Sequence, residues 1–318
     1  MKQTKKIELF LAFLSGLLLF SCNPKDPIDD PEKPVTEFST EIISDLSFKN
    51  GFKLTPLLVP DMSSGYVDTL YFYLPATKPL WAVAQWNSKT SNNLKDAVLQ
   101  TDINGNKFFA NAAKKIMLST DTTLYLELNA SKEYDHPRLS SEPWPHVLIE
   151  QTFSFAPLVS TAKRIMLSVE LQLVKYNTMI SGYDPNIHTA QSPMYLVIRG
   201  VSGDGYIWFG IPSFDIRDLV LGDKLTMMLD PGTNAYMIAP APKVIWGDIT
   251  FKDKKWHKAN LDIKPYIKQA HDAMINAGQF KNTKFEDLKI EGINFGWEVT
   301  GTFDVGINIK HLSLKIVK

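Results

Sequence analysis

Glu142–Phe155 reads EPWPHVLIEQTFSF, and this stretch decides the fold. After the Pro143-Trp144-Pro145 knot the side chains alternate. Val147, Ile149, Gln151 and Phe153 fall on one side; His146, Leu148, Glu150 and Thr152 fall on the other. A period of two belongs to a strand with one apolar face. The second face brings a carboxylate and an imidazole close to Trp144, which two prolines hold stiff.

The same pattern recurs on both sides of this stretch. In Thr122–Leu128, Leu124, Leu126 and Leu128 oppose Tyr125 and Glu127. Arg164–Tyr176 is the longest alternating run. Ile165, Leu167, Val169, Leu171 and Leu173 oppose Ser168, Glu170 and Gln172. Val67–Leu74, Leu80–Trp86, Lys114–Leu118, Met194–Arg199, Tyr206–Ile211, Trp246–Phe251, Trp256–Ile263 and Asp287–Glu298 also read as strands. Tyr206 and Trp208 share a face. The last run, Phe303–Val317, changes parity. Phe303, Val305, Ile307 and Ile309 are odd-numbered, whereas Leu312, Leu314 and Ile316 are even-numbered. One inserted residue near Lys310-His311, a β-bulge, restores the facing. A single short amphipathic helix is predicted over 265–277, with Pro265 in its first turn and Gly278 as its stop. No alternation of strand and helix calls for a parallel sheet. The expected fold is all-β, a two-sheet antiparallel β-sandwich spanning 38–318 as one large domain.

The N-terminus bears on compartment. Lys2, Lys5 and Lys6 precede an apolar run, Ile7–Phe20, of signal-peptide length. The run ends at Leu19-Phe20-Ser21-Cys22. This resembles a bacterial lipoprotein signal of the Bacteroidetes surface type, apart from the large Phe20. The resemblance implies cleavage after residue 21 and a lipid on Cys22, hence anchorage at the outer membrane or cell surface. Cys22 is the only cysteine, so no internal disulfide competes for it. Residues 22–37 are rich in proline and charge and read as an extended tether. Lys and Arg total 34, as do Asp and Glu. That balance argues against a nucleic-acid partner, which calls for a basic patch.

The closing block resembles the last strands of galactose-binding-like jelly rolls, the fold of many carbohydrate-binding modules. Trp256, Leu261-Asp262, Leu288, Ile290, Gly292-Ile293, Phe295 and Phe303–Leu314 carry the resemblance. It implies a sandwich, and in that family often a structural Ca²⁺ or a sugar site. Asp102, Asn104 and Asn106 resemble the start of a Ca²⁺ loop, but the distal Glu is missing, so they read as a turn. No metal or nucleophile motif is present, and no metal site is expected.

The polar strand faces supply the candidate site. If the strands are neighbours, Tyr125, Glu127, His146, Glu150, Glu170, Gln172, Tyr206 and Trp208 line one sheet. Aromatic faces stack on the C–H patches of sugars, while carboxylates and amides hold paired hydroxyls. Arg138, Glu142, Trp144 and His188 would wall the groove, with Asp215, Arg217 and Glu298 as further contacts. Asp215 and Arg217 read equally as an ion pair bracing a loop. Three readings stay open. The first is a lipid-anchored protein binding a poly- or oligosaccharide. The second is a glycoside hydrolase, or a polysaccharide lyase, using Glu150 with Glu127 or Glu170. The third is a structural or adhesive surface lipoprotein.

Overall fold

Where the sequence alternates, the backbone is extended and pairs with neighbours. A computed structural model describes residues 37–318 apart from 59–64, 74–76, 179–181, 219–220 and 231. The signal-like segment and Cys22 lie outside the described residues. The chain begins with β1 (Ser39–Glu41), β2 (Phe52–Leu54), β3 (Asp68–Leu70) and β4 (Trp81–Ala84). Short hairpins follow, made by β5 (Gln100–Thr101), β6 (Lys107–Ala110), β7 (Lys114–Leu118) and β8 (Leu124–Asn129). Next come β9 (His146–Thr152), β10 (Arg164–Thr178), β11 (Ala190–Gly200), β12 (Tyr206–Asp215), β13 (Thr226–Asp230) and β14 (Ala235–Ala239). Helix α1 (Pro242–Trp246), β15 (Trp256–Asp262), helix α2 (Lys264–Asn276), β16 (Leu288–Val299) and β17 (Phe303–Val317) complete the order.

These strands form two sheets. The eight-stranded sheet runs β15-β10-β17-β8-β7-β6-β5, with β1 also on β17. The nine-stranded sheet runs β13-β14-β12-β11-β16-β9-β4-β2-β3. Pairing is antiparallel except for two parallel contacts, β12 with β14 and β2 with β4. The fold is thus the expected all-β sandwich.

The apolar faces meet in one core. Leu126, Leu128, Ile165, Leu167, Val169 and Leu171 come from the first sheet. Val147, Ile149, Leu196, Phe209, Phe295 and Trp297 come from the second. Each buried side chain of this size contributes about 1.5–3 kcal/mol. Trp297 also ties the layers with a directed bond. Its indole Nε1 donates to the Leu126 carbonyl across the core, at 2.9 Å.

The parity change in the last strand is a bulge. Ser168 pairs with Ser313 but Glu170 with Lys310, so β17 holds one extra residue there. His311 takes a positive φ of 55°, and Leu312 then turns into the core. Helix α2 ends as its glycine demands. Gly278, at φ 73°, donates to Ile275 O and Gln279 to Met274 O, both at 2.9 Å. Trp246–Phe251, expected as a strand, is not one. Trp246 ends α1, its ring buried and its Nε1 bonded to the Pro212 carbonyl at 2.6 Å.

One core-level charge was not visible in the pattern. Lys114 has a fully buried side chain. Its Nζ donates to Glu133 Oε1 at 3.1 Å and to the Asn92 carbonyl at 2.8 Å. The other Glu133 oxygen accepts the Lys89 N–H at 2.8 Å. Burial pulls the Lys114 ammonium below its ordinary pKa, opposed by the Glu133 charge. Removing one partner strands the other. Glu133→Ala is expected to cost about 3–5 kcal/mol in chemical denaturation, and Lys114→Met with Glu133→Leu to recover most of it.

Candidate functional site

Register assigns each outward side chain to a face. Tyr125 and Glu127 (β8) and Glu170 and Gln172 (β10) project from the eight-stranded sheet. His146 and Glu150 (β9), Glu298 (β16) and Tyr206 and Trp208 (β12) project from the nine-stranded sheet. The expectation of one common wall is therefore corrected. Glu127 and Glu170 are separated from Glu150 by the core, because each strand offers only one face to solvent.

The outward face of the eight-stranded sheet is electrostatically closed. The Tyr125 hydroxyl donates to Glu127 at 2.6 Å, and Lys175 Nζ donates to the other Glu127 oxygen at 3.0 Å. Burial works to raise the Glu127 carboxyl, but Tyr125 and Lys175 outweigh it and hold it below the ordinary value. The Tyr125 ring lies over Gly306, where a Cβ would come within 2.3 Å of the hydroxyl oxygen. Glu170 faces His311 at 3.1 Å and Lys310 at 3.5 Å. Its carboxyl is likewise lowered, the small desolvation being outweighed by His311 and Lys310. Gln172 accepts from Asn308 and donates to the Lys254 carbonyl, both at 3.0 Å.

The loop residues divide in the same way. Arg138, expected to wall a groove, is buried. It donates to the carbonyls of Glu142 at 2.9 Å, Ile187 at 3.2 Å and Ser140 at 3.4 Å. His188 is buried against it, with Nε2 2.8 Å from the Arg138 carbonyl and Nδ1 accepting from the Asp184 N–H at 3.0 Å. Glu142 accepts from the Leu139 N–H at 2.6 Å and meets His136 at 3.0 Å. Asp215 and Arg217 pair through Arg217 Nε at 2.9 Å, with Thr189 Oγ1 on the same carboxylate at 2.8 Å. As expected for the brace, and against a ligand contact, both charges are spent on each other. Asp102 likewise closes its own turn, accepting from Asn104 N–H at 2.8 Å and Asn106 N–H at 2.9 Å. Among the described residues no cluster of three His, Cys, Asp or Glu side chains could hold a metal ion.

What remains open is the outward face of the nine-stranded sheet. Glu150 lies opposite Asn294, which lies opposite Tyr195, which lies opposite Gly210. Lys53 stands two strands away on the same row. Burial raises the Glu150 carboxyl, with Asn294 and Lys53 working against it. The Asn294 amide is 3.5 Å from its Oε2. Trp208 packs edge-on to Tyr195 and Tyr206, at 6.0 and 5.4 Å between centroids. Its Nε1 donates to Thr233 Oγ1 at 3.1 Å. Burial also raises the Tyr195 hydroxyl, with Glu298 and Asp230 adding to it. Between these groups the outward-facing residues are Ala82, Ala84, Leu148, Val197, Gly210, Gly292 and Gly296. Gly296 does not make room for a ring or loop. A Cβ there would sit 2.2 Å from the Val147 carbonyl, so the position serves close strand approach. Glu298 lies opposite His146 and accepts from Gln191 Nε2 at 2.9 Å.

Tyr195, Asn294 and Lys53 were not picked out from sequence. The signal was present for two of them. Tyr195 sits between Met194 and Leu196, and Asn294 between Ile293 and Phe295, so parity alone turns both outward.

Fold and face together define a two-layer β-sandwich with one polar, aromatic-rich sheet face. Neither a family model nor a curated protein matches the chain. Solved structures with a similar layout include glycoside hydrolases. A cellulase derived from Cel12A of Rhodothermus marinus is 12% identical at a TM-score of 0.39, over 70% of this chain and 96% of that one. The family 12 xyloglucanase of Bacillus licheniformis is 11% identical at 0.38, over 70% and 97%. The family 11 xylanase of Neocallimastix patriciarum is 10% identical at 0.39, over 71% and 98%. Likenesses of this order carry no activity or residue role to this chain.

The raised Glu150 carboxyl has a consequence for stability. A group with a raised folded pKa stabilises most when protonated, and that contribution is lost as pH climbs through the folded pKa. Glu150→Gln stays neutral throughout. It is expected to match the wild type below the unfolded carboxyl value of about 4.3 and to melt above it at pH 7. Thermal unfolding at pH 4 and pH 7 checks this, and a lower midpoint for the variant at pH 7 would contradict it.

Proposed function

We propose that the outward face of the nine-stranded sheet binds a poly- or oligosaccharide, and that a lipid on Cys22 holds the chain at the cell envelope. The observation that carries the binding reading is the Tyr195–Trp208–Tyr206 cluster beside Glu150 and Asn294. Ring faces offer an apolar platform for the C–H side of a pyranose. A carboxyl and an amide one strand apart offer acceptors and a donor for adjacent hydroxyls.

Binding is favoured over hydrolysis by spacing. Hydrolysis of a glycosidic bond uses two carboxyl groups about 5–9.5 Å apart. Glu150 faces away from Glu127 and Glu170 across the core. Glu298 shares its face, but it is opposite His146, four residues along β9 from Glu150. At about 3.3 Å per residue that is about 13 Å. A lyase built on the same carboxyls meets the same separation across the core.

Affinity gel electrophoresis across a panel of soluble polysaccharides tests the reading. Trp208→Ala is expected to weaken retention about tenfold, equivalent to about 1.4 kcal/mol. Unchanged retention would remove Trp208 from the site. Separately, Cys22→Ala is expected to move the protein from the membrane to the soluble fraction, and persistent membrane association would count against the lipid anchor.

A further inference from the structure

The far end of the same face carries a group that the Trp208 cluster does not use. His146 is the first residue of β9 and turns outward beside Glu298. It is only 8% exposed. Trp86 and Trp144 flank the ring, with centroids 5.8 and 5.9 Å away. No protein group partners its buried Nδ1. Burial holds the imidazole below its ordinary pKa, against the pull of Glu298 and of the Trp86 and Trp144 backbone, and so favours the neutral ring. A neutral imidazole presents one donor and one acceptor.

Trp144 is set rigidly for contact. Prolines on both sides restrict the backbone. The Pro143 carbonyl accepts the Tyr134 hydroxyl at 2.7 Å. The Arg138 guanidinium lies 5.2 Å from the Trp144 ring centre, itself pinned by carbonyls of two loops. Arg138 and His188 thus act as positioning residues for the indole, which stays partly open to solvent. Ordering this platform before binding lowers the entropy lost on association.

We infer that Trp86, Trp144, His146 and Glu298 form a second sugar subsite, so that the ligand is an extended oligosaccharide rather than a single terminal sugar. The inference rests on the binding function proposed above. Trp208 is level with Thr152, three strands over, and His146 is six residues further along β9. Spacings of about 3.3 Å along and about 4.8 Å across put the two subsites about 25 Å apart. Leu148, Glu150, Asn294 and Val197 lie between. A neutral sugar fits this end, because Glu298 repels a carboxylate and the indoles supply apolar faces.

The test uses size-graded oligosaccharides cut from a polysaccharide that the wild-type protein retains. Calorimetric titration of Trp144→Ala is expected to show about tenfold weaker binding of long oligosaccharides and unchanged binding of the disaccharide. Trp144→Phe, which keeps an aromatic face, is expected to restore most of the loss. Trp208→Ala should weaken both lengths. If Trp208→Ala weakens binding while Trp144→Ala and His146→Gln leave every length unchanged, the second subsite is overturned and the first stands. If the wild type retains no polysaccharide, the binding function and this subsite fall together.

Discussion

The shared core uses one face of each long strand in both layers. A period of two leaves each strand only one other face, and the two outward faces look away from each other. Packed sheets lie about 10 Å apart, so an outward carboxylate on one never meets an outward carboxylate on the other. Trp297 fixes this arrangement with both its ring and its indole N–H, which reaches Leu126 in the facing sheet. Where a site can sit follows from that division.

The two outward faces differ in how their charges are balanced. On the eight-stranded sheet the two outward glutamates of the central strands each have a lysine at hand: Glu127 has Lys175, and Glu170 has Lys310. Such pairs hold their carboxyls down and leave little unsatisfied. On the nine-stranded sheet Glu150 has a distant amide and no adjacent cation among the described residues, and its carboxyl is raised. His146 has a buried ring nitrogen without a protein partner. Local costs of this kind are tolerated where a site needs them and are compensated elsewhere in the fold. The rim loops supply some of that compensation through Arg138, His188 and Glu142, whose polar atoms are consumed in holding backbone.

Much of the fold was legible because its signals are local. Alternation in β9 and β10, the parity change at His311 and the proline and glycine at the ends of α2 all act within a few residues. Strand order was not legible, since β9 pairs with β4 and β16 from distant parts of the chain. Period two says that Glu127, Glu150 and Glu170 point outward; it does not say from which sheet. Arg138 and His188 looked like groove walls because a loop sequence does not show which carbonyls its donors will meet. Lys114 looked like an ordinary strand residue, because its burial depends on Glu133 and the Asn92 carbonyl closing over it. Trp208, Glu150 and Glu298 did fall on one face, with Trp144 and His146 at its end.

Hydroxyl-radical footprinting, with and without an oligosaccharide that the protein retains, addresses directly which face meets the ligand. Protection at Trp208, Tyr195 and Tyr206, with Tyr125 and Trp256 on the opposite layer unchanged, is the expected result. Protection confined to Tyr125 and Trp256 would place the ligand on the eight-stranded sheet and contradict the assignment.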